Sequence, residues 1–224
     1  SAGVYDEGRG ELADLLALRQ ALPEAERPDI QFHVGTLSAD MAGGKPHPWS
    51  GFTLSVCQLR PESRGRVQIS STDPLQAPSM LANYVSTDLD RRTAVAAVRA
   101  ARSIASTPAM QPYVKREIKP GPDVRDDDDA ALLEYCRNNG ATIFHPSGTC
   151  KMGSDPLAVV DTRLRVHGID RLRVVDCSVM PTLVSGNTNA PVVAIAEKAA
   201  DLILADARGS VAEATPRPVP ALHA

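Results

Sequence analysis

Stretches in which apolar and polar residues alternate cluster between positions 29 and 70, whereas long stretches with helical spacing lie between 88 and 138. That separation constrains the fold more than any other feature of the chain. Strands grouped together, rather than interleaved with helices, lack the crossover helices that a parallel sheet needs. Alternation also asks for one covered face and one polar face, which an antiparallel sheet provides. The expected fold is therefore α+β: an antiparallel sheet with helices on one side. A strand–loop–helix unit closes the chain and reads as a piece of a second, doubly wound domain.

The individual elements follow from local spacing. Leucines at 12, 15, 16 and 18 predict a short helix over 12–21, ended before Pro23. Residues 29–34, 52–57 and 66–70 alternate as strands. The compact turn Pro61-Glu62-Ser63-Arg64-Gly65 predicts that the last two pair as antiparallel neighbours. A glycine- and proline-rich loop covers 43–51. A helix over 88–106 carries an apolar stripe at Val95, Val98, Ala101, Ile104 and Ala105, with Asp88 placed to suit the helix dipole. The four aspartates at 126–129 lack the alternating ligand spacing of a calcium loop. They read instead as the solvated start of a helix over 130–137, with Gly140 as its C′ residue. Residues 172–175 form a short apolar strand. A closing helix over 190–207 has Pro191 in its first turn, where the missing N–H costs nothing. Its apolar face is Val192, Val193, Ala196, Ala200, Ile203 and Leu204. Prolines at 216, 218 and 220 predict a disordered tail over 208–224.

Charge and composition exclude several function classes. The 24 basic and 27 acidic residues leave a formal charge of −3 with no basic block, so nucleic-acid binding has no electrostatic support. Apolar runs are too short to span a bilayer. Without a charged-then-apolar leader the expected location is cytoplasmic. The cysteines at 57, 136, 150 and 177 form no CxxC pair, which predicts free thiols rather than a zinc site or a redox motif. Serine rather than methionine at position 1 suggests a tagged chain, a processed chain or an internal fragment.

Two motifs carry chemistry. Phe144-His145-Pro146-Ser147-Gly148-Thr149-Cys150-Lys151-Met152-Gly153 places a histidine just before a glycine-containing turn. Ser185-Gly186-Asn187-Thr188-Asn189-Ala190-Pro191 places an amide immediately before a helix that opens with proline. Of the five histidines, His33 lies in a strand pattern, His47 in a loop, His167 in a turn and His223 in the tail. His145 follows an apolar, strand-like stretch at 141–144 and precedes a Pro/Gly turn, a position from which a side chain can face a cleft. An imidazole, with its pKa near neutrality, suits the removal of a hydroxyl proton. On spacing alone, a lone histidine is more often a structural residue. Lys151 lacks the glycine and hydroxyl neighbours of a P-loop.

Together with Leu59-Arg60-Pro61-Glu62-Ser63-Arg64-Gly65-Arg66-Val67, these motifs resemble the C-terminal signature of the glucose–methanol–choline (GMC) family of flavin oxidoreductases. The resemblance runs from about residue 29 to 204 and includes the choline dehydrogenase-like and alcohol dehydrogenase members. It implies that His145 is the catalytic base and that Asn187, at a position held by histidine or asparagine in the family, hydrogen-bonds the substrate oxygen. It implies FAD as cofactor, touched by Asp176, Cys177, Asn187, Thr188, Asn189 and Pro191. By the same resemblance, 1–28 is a helical lead-in, 29–160 a substrate-binding α+β domain and 161–207 the C-terminal segment of the FAD-binding domain. No GxGxxG follows a predicted strand, so the expected partner is an N-terminal FAD-binding half, in the same gene product or a separate chain. The expected reaction is oxidation of a primary alcohol to an aldehyde by hydride transfer to flavin. With one tryptophan, three phenylalanines and four tyrosines, mostly in structural patterns, an uncharged alcohol is favoured over choline. An oxidase using dioxygen and a non-catalytic binding or assembly module stay open as alternatives.

Overall fold

In the computed structural model, which describes residues 15–40 and 44–208, the first element is a strand. β1 (Leu15–Arg19) pairs antiparallel with β2 (Ile30–Gly35), which pairs antiparallel with β3 (Thr53–Gln58), giving the order β1-β2-β3. This corrects the helix expected over 12–21, of which 12–14 lie outside the described residues. A short leucine-rich run satisfies either period, and the backbone groups of β2 decide between them. Leu15 sits opposite Val34 and Arg19 opposite Ile30, so the ladder satisfies both strands.

The expected pairing of 52–57 with 66–70 is also overturned. β3 lies against β2, with Phe32 opposite Val56. β4 (Arg66–Gln68) pairs instead with β5 (Ser79–Leu81) in a separate two-stranded antiparallel sheet. The reason is a buried carboxylate. Asp90, 2 % exposed, accepts the backbone N–H groups of Glu62 (2.9 Å) and Ser63 (2.8 Å) and the Gln58 amide (2.9 Å). The chain leaving β3 is thereby tied to the helix that carries Asp90. Gly65 then lets the second hairpin close: a Cβ there would lie 2.2 Å from the Leu81 carbonyl oxygen.

That helix, α1 (Asp88–Ala105), starts one residue after its cap, Thr87, whose hydroxyl accepts the Asp90 N–H at 3.3 Å. α2 (Asp129–Asn139) is capped by Asp128, which accepts the Ala131 N–H at 2.9 Å. The aspartate run thus opens α2 as expected, with Asp126 and Asp129 also paired to Arg102 and Arg99. Gly140 ends α2 with its N–H on the Cys136 carbonyl, but at φ −68° it is extended rather than the left-handed C′ expected. Ala97, Ala100, Ala101 and Ile104 of α1 pack against Ile30, Phe32 and Val56 of the sheet. Val95 and Val98 pack against Leu132 of α2. α1 therefore covers one face of the sheet, and α2 packs against α1.

Asp90 makes a testable stability claim. Burial acts to raise its pKa, but hydrogen bonds from the Ser63 hydroxyl, the Glu62 and Ser63 backbone and Gln58 outweigh it and hold the carboxyl below its usual range. A folded pKa below the unfolded one stabilises above the ordinary aspartate value of about 3.9, and that stabilisation is lost as pH falls through the folded value. Hydrogen bonds to a charged group contribute about 1.5–3 kcal/mol each. Asp90→Ala is therefore expected to lower the unfolding free energy by about 3 kcal/mol at pH 7, with a smaller difference near pH 3. Urea unfolding of both proteins at the two pH values measures it; a pH-independent difference contradicts the charged-acceptor role.

The chain's contacts divide it into two units, 1–145 with 183–187, and 146–182 with 188–224. The functional boundary drawn from the sequence falls later, after residue 160. In the second unit, Val160, Leu164, Val179 and Ala199 form the core, joined by Met152, Val166, Val174 and Ile195. The strand expected at 172–175 is reduced to a bridge between Arg165 and Arg173, because loop bonds such as Val166 N–H to Leu172 O (3.0 Å) take its backbone groups. α3 (Asn189–Ala207) buries Ala199, while Val193, Ile203 and Leu204 of its expected apolar face are exposed. Arg163 and Arg173 both pair with Asp206 near its end. The tail expected to be disordered lies, apart from Arg208, outside the described residues.

Candidate active site

His145 stands at the end of an irregular segment, not of a strand: residues 141–144 make no ladder. Phe144, immediately before it, has φ +62° and is 74 % exposed. A left-handed backbone is uncommon for an aromatic residue and costs about 1–3 kcal/mol. The Phe144 N–H is held by the Thr142 hydroxyl at 3.0 Å. The turn after His145 bends at Gly148, with φ +83°, where a Cβ would meet the Met180 carbonyl oxygen at 3.3 Å. His145 itself is half-buried.

Asn187 is the end of the short segment 183–187, which returns to the unit that closes on His145. Two residues of the sheet region hold this segment. Arg60 donates to the Ser185 hydroxyl at 3.2 Å and to the carbonyls of Pro28 (2.9 Å) and Arg27 (3.3 Å). Gln31 of β2, 3 % exposed, donates its amide N–H to Asn187 Oδ1 at 2.8 Å. The same Gln31 nitrogen lies 3.4 Å from His33 Nε2, and the Cys57 sulfur lies 3.8 Å from that ring nitrogen. Gln31 is directly opposite Cys57 in the ladder, which places these three residues on one face of the sheet, away from the Ile30–Phe32 face. Burial pushes the Cys57 thiol up to about 11, so it stays protonated at neutral pH. The Cys136 thiol is likewise raised by burial. All four cysteines are free.

The remaining expected contacts lie in the second unit. Asp176 caps a single 3-10 turn, Cys177–Val179, by accepting the Ser178 N–H at 2.7 Å. Residues 148–152 run beside this turn: the Gly148, Cys150 and Met152 N–H groups reach the Cys177, Ser178 and Val179 carbonyls at 3.4, 2.9 and 2.9 Å. The Ser178 hydroxyl oxygen is buried without a hydrogen-bond partner among the described residues. α3 begins at Asn189 after Thr188, which is buried and whose carbonyl accepts the Val192 N–H at 2.9 Å. Thr188 makes no side-chain cap bond, Pro191 lies in the first turn, and no acidic residue is there.

The structure thus places His145 and Asn187 in one unit, and Asp176, Cys177, Thr188, Asn189 and Pro191 in the other. His167 and His47 have local roles. His167 donates to the Gly153 carbonyl at 3.0 Å; His47 stacks on Trp49 at 4.5 Å and bonds Ser38 at 2.9 Å. Gln31 and Arg60 are the residues that pattern reading missed as parts of the site. Burial of both faces of β2 was the only signal for Gln31, and an alternating sequence conceals it. Among the described residues no cluster could hold a metal ion, and no helix is long and apolar enough to cross a membrane.

The family model for GMC oxidoreductases matches residues 61–196. An alcohol dehydrogenase [acceptor] of Pseudomonas putida is 44 % identical over 182 residues, which is 81 % of this chain and 33 % of that protein. An oxygen-dependent choline dehydrogenase of Proteus mirabilis (strain HI4320) is 46 % identical over 176 residues, 79 % of this chain and 31 % of its own length. Among solved structures, pyridoxine 4-oxidase from Mesorbium loti superposes with a TM-score of 0.74 at 32 % identity, covering 83 % of this chain and 36 % of that one. A fungal aryl-alcohol oxidase gives 0.69 at 34 % identity, covering 84 % and 29 %. The chain spans about a third of the length of the curated relatives it matches. By its sequence and its fold, the chain belongs to the GMC oxidoreductase family, of which it carries the C-terminal region.

Proposed function

We propose that the chain is the substrate-side and cofactor-contacting part of an FAD-dependent enzyme that oxidises a primary alcohol to an aldehyde. One observation carries the reading: the chain leaves the first unit at His145 and comes back to it at 183–187, so that a titratable imidazole and a held amide share one unit. Within that reading, His145 takes the hydroxyl proton of the alcohol. Asn187 cannot act as a base near neutrality, but its Nδ2 donates toward the substrate oxygen as negative charge develops there.

The second unit suits a flavin nucleotide in two respects. Ser178 Oγ is a buried hydroxyl lacking a partner among the described residues, and α3 starts without an acidic residue to neutralise its positive end. Asp176, Cys177, Thr188, Asn189 and Pro191, with Asn187, are the residues proposed to contact FAD, within a cofactor segment at 161–207. FAD, when bound, supplies the hydride acceptor that no side chain provides. An N-terminal FAD-binding half completes the enzyme in this proposal, because the chain contains no GxGxxG fingerprint. Cytoplasmic residence belongs to the same proposal and rests on the free thiols.

The test is anaerobic reduction of the flavin in the complete enzyme by a series of alcohols. Bleaching by a neutral primary alcohol, with aldehyde formed in equal amount, supports the reading; an unchanged flavin spectrum across the series rejects it. Competition kinetics should give kcat/KM for a neutral primary alcohol at least equal to that for choline. A much higher value for choline would overturn the preference for an uncharged alcohol. Oxygen consumption during turnover separates an oxidase from a dehydrogenase using another acceptor.

A further inference from the structure

We infer that Gln31 is a positioning residue that sets which end of the Asn187 amide faces the substrate. This rests on the reading of Asn187 as a hydrogen-bond donor to the substrate oxygen. The two ends of a primary amide have nearly the same shape and opposite polarity. Rotated one way, Asn187 presents N–H to a developing alkoxide; rotated the other way, it presents a carbonyl oxygen and repels it. Asn187 is exposed, so burial of its own side chain does not choose between the two.

Gln31 does. It sits on the middle strand of the three-stranded sheet, with ladders on both sides, and its side chain is almost fully buried. Its amide nitrogen carries two hydrogens. One goes to Asn187 Oδ1 at 2.8 Å and the other faces His33 Nε2 at 3.4 Å. With Oδ1 committed to Gln31, Nδ2 occupies the other branch of the amide. With its proton on Nδ1, His33 presents Nε2 as an acceptor to the Gln31 NH₂, the tautomer that matches the Gln31 donation to Asn187. The Cys57 sulfur lies 3.8 Å from the same ring nitrogen, and burial keeps its thiol protonated at neutral pH. Arg60 supplies the remaining constraint by holding Ser185, two residues before Asn187. A buried amide whose NH₂ faces Asn187 Oδ1 and His33 Nε2 holds its orientation, since reversal would set its carbonyl oxygen against Asn187 Oδ1.

The experiment is a mutant cycle in the complete, flavin-loaded enzyme. Gln31→Met keeps the shape and removes both donors, and Gln31→Glu keeps the shape but offers an acceptor when ionised. Each is expected to lower kcat by roughly ten-fold or more, a fraction of the loss from deleting an oxyanion donor outright, with KM and flavin content near parental. In an Asn187→Leu background, Gln31→Met should add no further loss, because the group it orients is gone. Parental kcat in both Gln31 variants, with Asn187→Leu impaired, overturns the inference and leaves the role of Asn187 intact. An equal fold-loss from Gln31→Met with and without Asn187 also overturns it, by showing that Gln31 acts through another group. Parental kcat in Asn187→Leu itself overturns the reading of Asn187 and this inference together. Should Gln31→Met fail to fold, the smaller change to glutamate carries the same test.

Discussion

Replacing His145 with alanine in the complete, flavin-loaded enzyme is expected to lower kcat by about 10²–10⁴-fold, the usual effect of removing a positioned general base. The KM for the alcohol should change far less, because an imidazole that accepts a proton contributes mainly as the reaction proceeds. The backbone supports this assignment. Phe144 is held in a left-handed conformation next to the proposed base, and strain of that kind persists where the surroundings fix it. A stopped-flow measurement of flavin reduction isolates the chemical step from reoxidation. Parental reduction rates in His145→Ala, with flavin bound normally, would remove His145 from the mechanism.

Asn187→Leu is expected to cost about 2.7–4 kcal/mol of transition-state stabilisation, or roughly 10²–10³ in kcat, as for the loss of one oxyanion donor. Leucine occupies a similar volume, so packing is nearly preserved while the amide is lost. Asn187→His should keep measurable activity, since an imidazole N–H can donate in place of the amide. The two substitutions together separate donation from bulk: similar losses in both would mean that shape, not hydrogen bonding, matters at this position. Steady-state kcat and KM for the three proteins, on one neutral alcohol, provide the comparison.

The helices were legible because their signals are local. The apolar spacing from Val95 to Ile104, the acidic entry to α2 and Pro191 in the first turn of α3 each report their own element without help from distant residues. The strands were legible as strands only where alternation was uninterrupted, and their partners were not legible at all. β1 shows why: leucines at 15, 16 and 18 suit a helix until β2 offers a ladder. β4 shows it again, since the turn at 61–65 has hairpin composition, yet its N–H groups are taken by Asp90, far along the chain. For the proposed site, His145 and Asn187 were named through motif resemblance. Gln31 was not, because a glutamine in an alternating strand looks like its solvated side, and a hydrogen bond to Asn187 across 156 positions leaves no local trace.

The return of residues 183–187 to the first unit has an evolutionary consequence. What places the Asn187 amide is Gln31 and Arg60, on the sheet and at its edge, not the number of residues between positions 145 and 187. The length of the excursion over 146–182 therefore does not set the amide's position, so changes at its exposed turns, away from the Val160–Leu164–Val179 core and from Asp176 and Cys177, would leave the amide in place, provided both anchors survive. Insertions there would be tolerated where insertions of equal size inside 183–187 would not. Lineages could thus vary the exposed turns of one unit while inheriting the same pair of polar groups unchanged.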